Sequence, residues 1–383
     1  MPQLRAEDLQ TPALLIDLDA VRHNLATMRH YLDGRMDRWR PHVKTCKVPE
    51  VLALLLEAGV RRFKVATTRE CEVLIQTATE PIDVLFAMAQ HGSNLQRIAE
   101  IARANRKHRF SVISEEPEHA IQLRQRELGV FVDLDPGYHR TGVPLRDRDR
   151  IHPVIQAAGD ALRGLHCYEG HLHHGTLDER ATAARPIYAE LVALARSLTA
   201  PGELVTSGTP TFPLALAYEP LREFAHTVSP GTVVYWDARS QQLGIAGFAC
   251  AVSVQARVVS SPSDDRITLD AGSKALDAAV GDPCAFAIGP WRLHALHPSE
   301  EHLPMRVEAE PKPPLGSLVR LVPTHVCPTV NLADEAVLIE GGQMQRIVPV
   351  RARGHETLGS GGGAMPNVST SSSKGKRAVP RGR

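Results

Sequence analysis

Stretches that favour β-strand alternate with stretches of helical periodicity through roughly the first 235 residues of this 383-residue chain. The helical patterns include Val48–Ala58, Asn94–Asn105 and Pro186–Leu198, the last rich in alanine and leucine with its proline at the start. The eight candidate strands are Asp37–Thr45, Arg62–Thr67, Asp83–Ala89, Arg109–Ser114, Gly129–Asp135, Leu162–Glu169, Glu203–Gly208 and Phe224–Ser229. Eight βα units over about 200 residues predict a (β/α)8 barrel, and a doubly wound open sheet is the alternative.

The pattern changes near Trp236. The following segments are short, rich in branched residues and separated by turn residues: Cys250–Val259, Arg266–Leu269, Leu318–Val322 and Ala336–Ile339. With no clear helices between them, they predict a mostly antiparallel β-domain. The last residues are rich in glycine and serine and predict a disordered tail. We therefore expect a barrel over residues 1–235, a β-domain over 236–353 and a tail over 354–383.

The charge balance excludes whole classes of partner. The chain has 44 basic and 43 acidic residues and a formal net charge of +1, which gives no electrostatic reason to expect nucleic acid or an anionic membrane surface. No window approaches the ~20 apolar residues of a membrane-spanning helix. The first residues lack the pattern of a signal peptide, and the six scattered cysteines predict reduced thiols. We expect a cytoplasmic protein.

Conspicuous residues follow several of the predicted strands. In a (β/α)8 barrel the active site lies at the carboxyl ends of the strands. There the sequence places Lys44, Arg140, Tyr168, His171 and two Gly-Thr turns, Gly208-Thr209 and Gly231-Thr232. Because these turns follow the seventh and eighth strands, where barrels commonly bind phosphate, they predict an anion site.

A phosphate site beside an amine indicates pyridoxal 5′-phosphate (PLP), which lysine holds as a Schiff base. Lys44 is the main candidate, because like charges on Arg38, Arg40 and Lys47 would favour its neutral amine. The rival candidates are Lys47, Lys64 and Lys274.

The predicted β-domain carries a possible metal site. His325 and Cys327 are two residues apart, so on a strand both side chains would face the same way. An imidazole and a thiolate can hold a divalent ion, with zinc the natural choice. Two protein ligands leave positions open for water or substrate.

Taken together, these segments resemble the fold-type III PLP enzymes, and most closely the group that contains D-threonine aldolase and the metal-dependent D-serine dehydratases. The resemblance covers nearly the whole chain to about Arg353 and is nearest to the aldolase branch. It is carried by TPALLIDLDAVRHNL, RPHVKTCK, DLDPGYHRTG, YEGHLHH, SGTPTFP, SPGTVVYWD, DAGSKAL, SEEH and PTHVCPTVNL. It implies an N-terminal barrel of the alanine racemase type.

The resemblance assigns roles to individual positions. Lys44 matches the lysine that carries PLP, Arg140 an arginine contacting its ring, and Tyr168 a tyrosine of the cofactor pocket. Gly208, Thr209, Gly231 and Thr232 match the phosphate-binding turns, and His325 and Cys327 match the ligands of a zinc or manganese ion. One position departs from the family pattern: the usual KTHK is KTCK here, with Cys46 in place of histidine.

The activity implied by the resemblance is PLP- and metal-dependent cleavage of D-β-hydroxy-α-amino acids to glycine and an aldehyde. His171 or His173 is the candidate base for the hydroxyl proton. The alternatives are a D-serine or D-threonine dehydratase, which gives a 2-oxo acid and ammonia, and a non-catalytic PLP-homeostasis protein. A racemase lacks a suitable second acid, since no tyrosine follows Tyr235. By the same resemblance we expect a homodimer.

Overall fold

The computed structural model describes residues 4–357. Strand β1 (Ala13–Asp17) leads directly into helix α1 (Leu18–Tyr31). The Asp17 carboxylate ends the strand and caps the helix, because it accepts hydrogen bonds from the first free backbone N–H groups of α1.

Seven of the next eight strands form one curved parallel sheet in the order β2-β3-β4-β5-β7-β8-β9, and short β6 pairs with β5. These strands are β2 (Arg62–Val65), β3 (Asp83–Phe86), β4 (Arg109–Ser114), β5 (Gly129–Asp135), β6 (Val143–Pro144), β7 (Leu162–Cys167), β8 (Glu203–Thr206) and β9 (Ala225–Val228). All seven predicted strands from Arg62 onward are present, two with the predicted ends and five with one or both ends shifted by one to three residues. The predicted alanine racemase-type barrel is confirmed.

The eighth strand position of the barrel, between β9 and β2, is not occupied by a regular strand. Trp39 pairs with Val228 of β9 and His42 pairs with Lys64 of β2, each as an isolated parallel bridge, so residues 39–43 link the two edges of the sheet. The predicted strand Asp37–Thr45 is wrong as a continuous strand, because Pro41 in its middle has no N–H to donate to a ladder. The two bridges close the ring and exclude the doubly wound open sheet.

Helices connect most of the strands. They are α2 (Pro49–Glu57), α3 (Thr68–Thr77), α4 (Gly92–Ala104), α5 (Pro117–Gln125), α6 (Arg148–Ala158), α7 (Leu177–Ser197) and α8 (Phe212–Ala217). Helix α7 begins well before Pro186, so the prediction that this proline starts the helix is wrong. Thr176 and Glu179 form a capping box that starts the helix earlier.

The remaining strands form a mostly antiparallel sheet, as predicted. They are β10 (Val252–Ser263), β11 (Arg266–Leu269), β12 (Ala285–Ile288), β13 (Arg292–Ala295), β14 (Leu303–Ala309), β15 (Leu318–Pro323), β16 (Glu335–Glu340) and β17 (Gln343–Pro349). Strand β1 also belongs here, pairing antiparallel with β10 and parallel with β16. The start of the predicted barrel segment therefore lies in the second sheet. Two short helices, α9 (Ala238–Gln241) and α10 (Val326–Leu332), interrupt this region.

The end of the described chain contacts both helix α10 and the barrel. Gly354 N–H donates to Asn331 Oδ1 at 3.0 Å, and Thr68 Oγ1 donates to Glu356 Oε2 at 2.6 Å. The rest of the predicted tail lies outside the described residues. Within residues 4–357 no helix has the length and apolar character needed to cross a membrane.

Candidate active site

Lys44 lies in a tight turn at the carboxyl end of the 39–43 segment. The Val43 N–H donates to the Lys64 carbonyl at 2.8 Å and the Cys46 N–H donates to the Val43 carbonyl at 2.9 Å, so the chain leaves the barrel wall here. The Lys44 side chain is exposed. None of the ion pairs among the described residues involves it. Its amine is therefore available to a ligand at the mouth of the barrel.

The predicted repulsion of Lys44 by Arg40 and Lys47 is not found. Arg40 is buried and donates to Glu203 Oε2 at 2.6 Å. Lys47 is buried and donates to Glu70 Oε1 at 2.8 Å. Because carboxylates compensate both charges, this electrostatic argument for Lys44 is wrong.

Arg38, the third cation of that argument, lies at the opposite end of the barrel. Its Nη2 is 3.4 Å from Nδ1 of His226, which belongs to β9. Burial, together with the charge of Arg38, lowers the pKa of His226 to about 3, so the imidazole is neutral. The basic segment thus runs the height of the barrel wall instead of forming one cluster.

Tyr168 and Arg140 follow β7 and β5 and meet at the mouth. The Arg140 guanidinium lies 5.2 Å from the centre of the Tyr168 ring and 4.9 Å from that of Tyr138. The Tyr168 ring fits between two glycines: a Cβ at Gly208 would lie 2.9 Å from it, and one at Gly170 would lie 2.3 Å from it. Burial raises the pKa of Tyr168 to about 12, so the phenol stays protonated.

The two Gly-Thr turns present buried hydroxyl groups without partners. Ser229 Oγ, beside the β9 turn, and Thr211 Oγ1, beside the β8 turn, are buried and have no hydrogen-bond partner among the described residues. Gly208, Thr209 and Gly231 are also buried. Unsatisfied buried hydroxyls are rare, so this pair fits a bound anion such as the phosphate of PLP.

His325 and Cys327 are not on a strand. His325 is the N-cap of α10 and Cys327 lies in its first turn, so the predicted i, i+2 strand geometry is wrong. The helix nevertheless brings the side chains together. Burial lowers the pKa of His325, but the interaction with Cys327, to which the protonated ring donates, and the nearby Asp237 and Asp277 outweigh it, and the net pKa is raised. Likewise burial raises the pKa of Cys327, but the His325 interaction and the charge of Lys44 outweigh it, and the net pKa is lowered.

Two carboxylates orient the His325–Cys327 pair. Asp277 Oδ2 lies 2.9 Å from His325 Nδ1, which leaves the other ring nitrogen for a ligand. Asp237 Oδ2 accepts the Val326 N–H at 3.0 Å. Within residues 4–357 no group of three or more histidine, cysteine, aspartate or glutamate side chains is close enough to hold a metal. Among the described residues the candidate ligand atoms at this position are those of His325 and Cys327 alone.

The thiol of Cys327 joins this pair to the barrel mouth. Its Sγ lies 3.1 Å from Thr45 Oγ1, beside Lys44 in sequence, and 3.7 Å from Thr232 Oγ1 in the β9 turn. A Cβ at Gly231 would lie 2.8 Å from the His42 carbonyl oxygen, so this close approach requires glycine there. The predicted amine, anion turn and metal pair meet within one chain.

The two candidate histidines differ in their surroundings. The His171 ring stacks on Tyr138 with centroids 5.9 Å apart, and its Nδ1 is buried without a hydrogen-bond partner among the described residues. His173 Nδ1 is bonded to the Gly170 carbonyl at 2.9 Å. Burial lowers the pKa of His173. His171 has the free ring nitrogen.

The thiol that replaces the family's histidine is inaccessible. Cys46 is fully buried, and its backbone carbonyl accepts a hydrogen bond from the Tyr235 hydroxyl at 2.8 Å. Burial, with the nearby Cys327, raises the pKa of Cys46 far above neutrality. Cys46 cannot act as a base.

The structure contains a buried, hydrogen-bonded row of three side chains that the sequence did not predict as part of the site. Lys64 Nζ lies 2.9 Å from His166 Nε2, and His166 Nδ1 lies 2.7 Å from Asp133 Oδ1. These residues come from β2, β7 and β5, which are far apart in sequence. A charged residue at an inward-facing strand position was the available signal for Lys64, which the sequence marks only as a rival Schiff-base candidate.

Known protein families, curated proteins and a solved structure are similar to this chain. The family of the alanine racemase N-terminal domain matches residues 16–239, and that of the putative serine dehydratase domain matches residues 251–339. The chain is 29% identical to D-threonine aldolase of Arthrobacter sp over 90% of this chain and 93% of that one. It is 28% identical to D-threo-3-hydroxyaspartate dehydratase of Delftia sp. over 84% of this chain and 92% of that one. A solved D-threonine aldolase from Filomicrobium marinum superposes with a TM-score of 0.78 at 27% identity, covering 91% and 96% of the two chains.

Fold and site together define a barrel enzyme of fold-type III, the PLP-dependent class. The chain belongs to the alanine racemase N-terminal domain family and, within it, to the PLP-dependent lyases related to D-threonine aldolase and D-serine dehydratase.

Proposed function

We propose that this protein is a PLP- and divalent-metal-dependent lyase that cleaves Cα–Cβ in D-β-hydroxy-α-amino acids such as D-threonine, giving glycine and an aldehyde. The observation that carries the proposal is the 3.1 Å contact between Cys327 Sγ and Thr45 Oγ1, next to Lys44. It puts an amine and a thiolate–imidazole pair within reach of one small substrate. The similarity to D-threonine aldolase over 90% of the chain supports the same reaction.

The residues at the mouth fit PLP. Lys44 would carry the cofactor, and Arg140 and Tyr168 would contact its ring. The hydroxyls of Ser229 and Thr211, which have no hydrogen-bond partner among the described residues, would donate to its phosphate. The backbone of the turns would complete the phosphate site at Gly208, Thr209, Gly231 and Thr232. When bound, PLP supplies an electron sink for negative charge at Cα.

The metal pair fits a zinc or manganese ion. His325 and Cys327 would hold it, and Asp277 would fix the His325 ring. A metal there supplies a Lewis acid that acidifies the substrate β-hydroxyl. The lowered pKa of Cys327 favours the thiolate form that metals bind, since the His325 interaction outweighs burial.

In the aldolase direction the β-hydroxyl proton must pass to a base of this chain. His171 would accept it, because its Nδ1 is buried and unpartnered. The corresponding atom of His173 is bonded to a carbonyl, and the Cys46 thiol is too deeply buried and too weakly acidic to exchange protons. His171 is therefore the base assigned by the surroundings of each candidate.

A dehydratase is the second candidate. It requires a base at Cα rather than at the hydroxyl, and the exposed Lys44 amine, which has no ion-pair partner within residues 4–357, would fill that role. The 28% identity to D-threo-3-hydroxyaspartate dehydratase supports this alternative. It would yield a 2-oxo acid and ammonia.

The test is to incubate the protein with D-threonine, PLP and Mn2+ or Zn2+ and to identify the products. Acetaldehyde plus glycine supports the aldolase, whereas 2-oxobutanoate plus ammonia supports the dehydratase. Formation of the L-enantiomer or the allo isomer without cleavage indicates racemase or epimerase chemistry. A PLP-loaded protein whose absorption no D-β-hydroxy amino acid changes would instead be a PLP carrier.

We extend the proposal to a homodimer, as the family resemblance implies. Light scattering coupled to size exclusion, on the PLP-loaded protein, measures this directly. A mass near twice 41.8 kDa supports the dimer, and a mass near 41.8 kDa contradicts it.

A further inference from the structure

Two lysines are buried within residues 4–357, and of these Lys47 has a carboxylate partner and Lys64 does not. Lys47 contacts Glu70 at 2.8 Å. Lys64 is just as buried, at 4% exposure, but its nearest polar partner is His166 Nε2 at 2.9 Å. No carboxylate within residues 4–357 forms an ion pair with it. The fold therefore contains a buried amine without a direct counter-charge.

The partner of Lys64 is an oriented, uncharged imidazole. His166 Nδ1 lies 2.7 Å from Asp133 Oδ1, whose second oxygen accepts from Thr141 Oγ1 at 2.8 Å. Donation from Nδ1–H to this carboxylate leaves the Nε2 lone pair to accept an N–H of Lys64. Burial, with the charge of Lys64, lowers the pKa of His166 and keeps the ring neutral. One imidazole thus separates the amine from its nearest negative charge.

Lys64 also lies under the cofactor pocket. Its backbone carbonyl accepts the Val43 N–H that begins the Lys44 turn, and its Nζ is 5.7 Å from the centre of the Tyr168 ring. The charged or titratable groups that face it are Asp133, His166, Tyr168, Arg40, His42, Lys44 and Arg140. Asp133 is the one carboxylate in this set, and the other members are neutral or cationic.

We propose that Lys64 is a second lysine of the cofactor pocket whose missing counter-ion is the anionic cofactor, so that PLP binding is coupled to uptake of one proton at Lys64. This rests on the proposed function only in that PLP is the ligand. The proton adds to the Nζ lone pair, giving an ammonium that still donates to His166. No covalent bond to Lys64 is formed, since Lys44 supplies the linking amine.

The electrostatics of the pocket without ligand agree with this geometry. Burial lowers the pKa of Lys64 to about 7, with Lys44, Arg40 and Arg140 acting in the same direction and Asp133 opposing them. An anion bound nearby raises that pKa. Near and above pH 7 the free amine then loses its proton while the loaded one keeps it, so binding adds up to one proton at Lys64, on top of the proton change of imine formation at Lys44, which the wild type and Lys64 variants share.

The experiment is calorimetric titration of PLP into the full-length apoprotein at pH 8, in two buffers of different ionisation enthalpy. The difference in heat gives the protons taken up. We expect Lys64→Met to lower uptake by about one proton, and the PLP association constant of the wild type to fall up to tenfold more per pH unit above pH 7 than that of the variant. Lys64→Arg, a permanent cation, should remove the uptake while keeping binding tight. Lys274→Met is the matched control, because this exposed lysine pairs with Glu300 and Glu301.

Two results would overturn the inference. One is equal proton uptake in the wild type and Lys64→Met, and the other is a loss of affinity by the same factor at every pH, which a purely packing role would give. If the Met variant does not fold, Lys64→Arg supplies the reference, and equal proton uptake in Lys64→Arg and the wild type at pH 8 contradicts the inference. Absence of any PLP binding to the wild type would instead refute the proposed function, so the two failures are distinguishable.

Discussion

Asp277 Oδ2 lies 2.9 Å from His325 Nδ1, a contact between residues 48 apart in the chain. The contact holds the imidazole by its Nδ1 and leaves Nε2 for another partner. Carboxylates in this position orient metal-binding histidines and make them more basic. The account therefore predicts that Asp277 supports metal binding without itself being a ligand.

We predict that Asp277→Asn lowers the affinity for Zn2+ or Mn2+ by roughly 10- to 100-fold, the usual effect of losing such a partner. Equilibrium dialysis with metal analysis measures it. Asp282→Asn is the matched control, because Asp282 makes the same 2.9 Å contact with the exposed His297. Equal metal affinity in Asp277→Asn and the wild type would contradict the supporting role of Asp277.

Replacing His171 should slow the aldolase reaction by about 10²-fold or more in kcat, because the β-hydroxyl would lose its base. The variant is His171→Asn, and steady-state release of acetaldehyde from D-threonine is the measurement. His174→Asn, a change of the exposed neighbour, should keep wild-type rates. A His171→Asn enzyme with an unchanged rate and pH profile would move the base elsewhere.

The buried pair of Arg40 and Glu203 should contribute more to stability than an exposed pair of similar geometry. Glu203→Gln leaves the buried guanidinium without its 2.6 Å carboxylate partner and should cost roughly 3–5 kcal/mol of unfolding free energy. Glu223→Gln, which breaks the exposed 2.6 Å pair with Arg196, should cost much less because solvent screens that pair. Urea unfolding measures both, and equal losses would contradict this reasoning.

Lys64 also predicts a pH dependence of stability for the apoprotein. Its pKa is lowered by burial to about 7, against an ordinary value of 10.5. Between these values the unfolded chain binds more protons than the folded chain, so this group makes the free energy of unfolding rise with pH. Below pH 7 both states are protonated and the full destabilisation remains. Lys64→Met should therefore gain most, relative to wild type, near pH 6.

That relative gain should shrink by up to about 1.4 kcal/mol per pH unit as the pH rises above 7. Urea unfolding of both apoproteins at pH 6 and pH 9 gives the slope. The unpaired His166 nitrogen left by the substitution shifts the variant equally at both pH values while that ring stays neutral. A difference between variant and wild type that does not change with pH would show that Lys64 has an ordinary pKa.

Most of the architecture could be predicted from the sequence, because hydrophobic periodicity is a local signal. Arg109–Ser114 and Gly129–Asp135 have the predicted ends. The sequence-based predictions fail where contacts between distant parts of the chain determine the local structure. The 39–43 segment is extended because it bridges β9 and β2, although Pro41 prevents a regular ladder. Cys327 enters a helix whose first turn is tied to Asp237, and no local pattern marks that contact.

The candidate site was predictable as residue types at strand ends, but its electrostatics were not. Arg40 and Lys47 are close to Lys44 in sequence, but their charges are paired with carboxylates from distant elements. Conversely, Lys64 meets His166 and Asp133 only because three strands share one barrel interior. Pairing between distant positions determines which charges act on the amine, and it requires the fold.

The central claim is that the amine of Lys44, beside the Cys327 thiol, holds the cofactor. Reduction of the PLP-loaded protein with borohydride, followed by digestion and mass spectrometry, identifies the lysine that carries it. The account predicts the pyridoxyl mass on Lys44, and its loss together with the Schiff-base absorption band in Lys44→Ala. A pyridoxyl mass on Lys64 or Lys274 in the wild type, or a band that survives in Lys44→Ala, would contradict it.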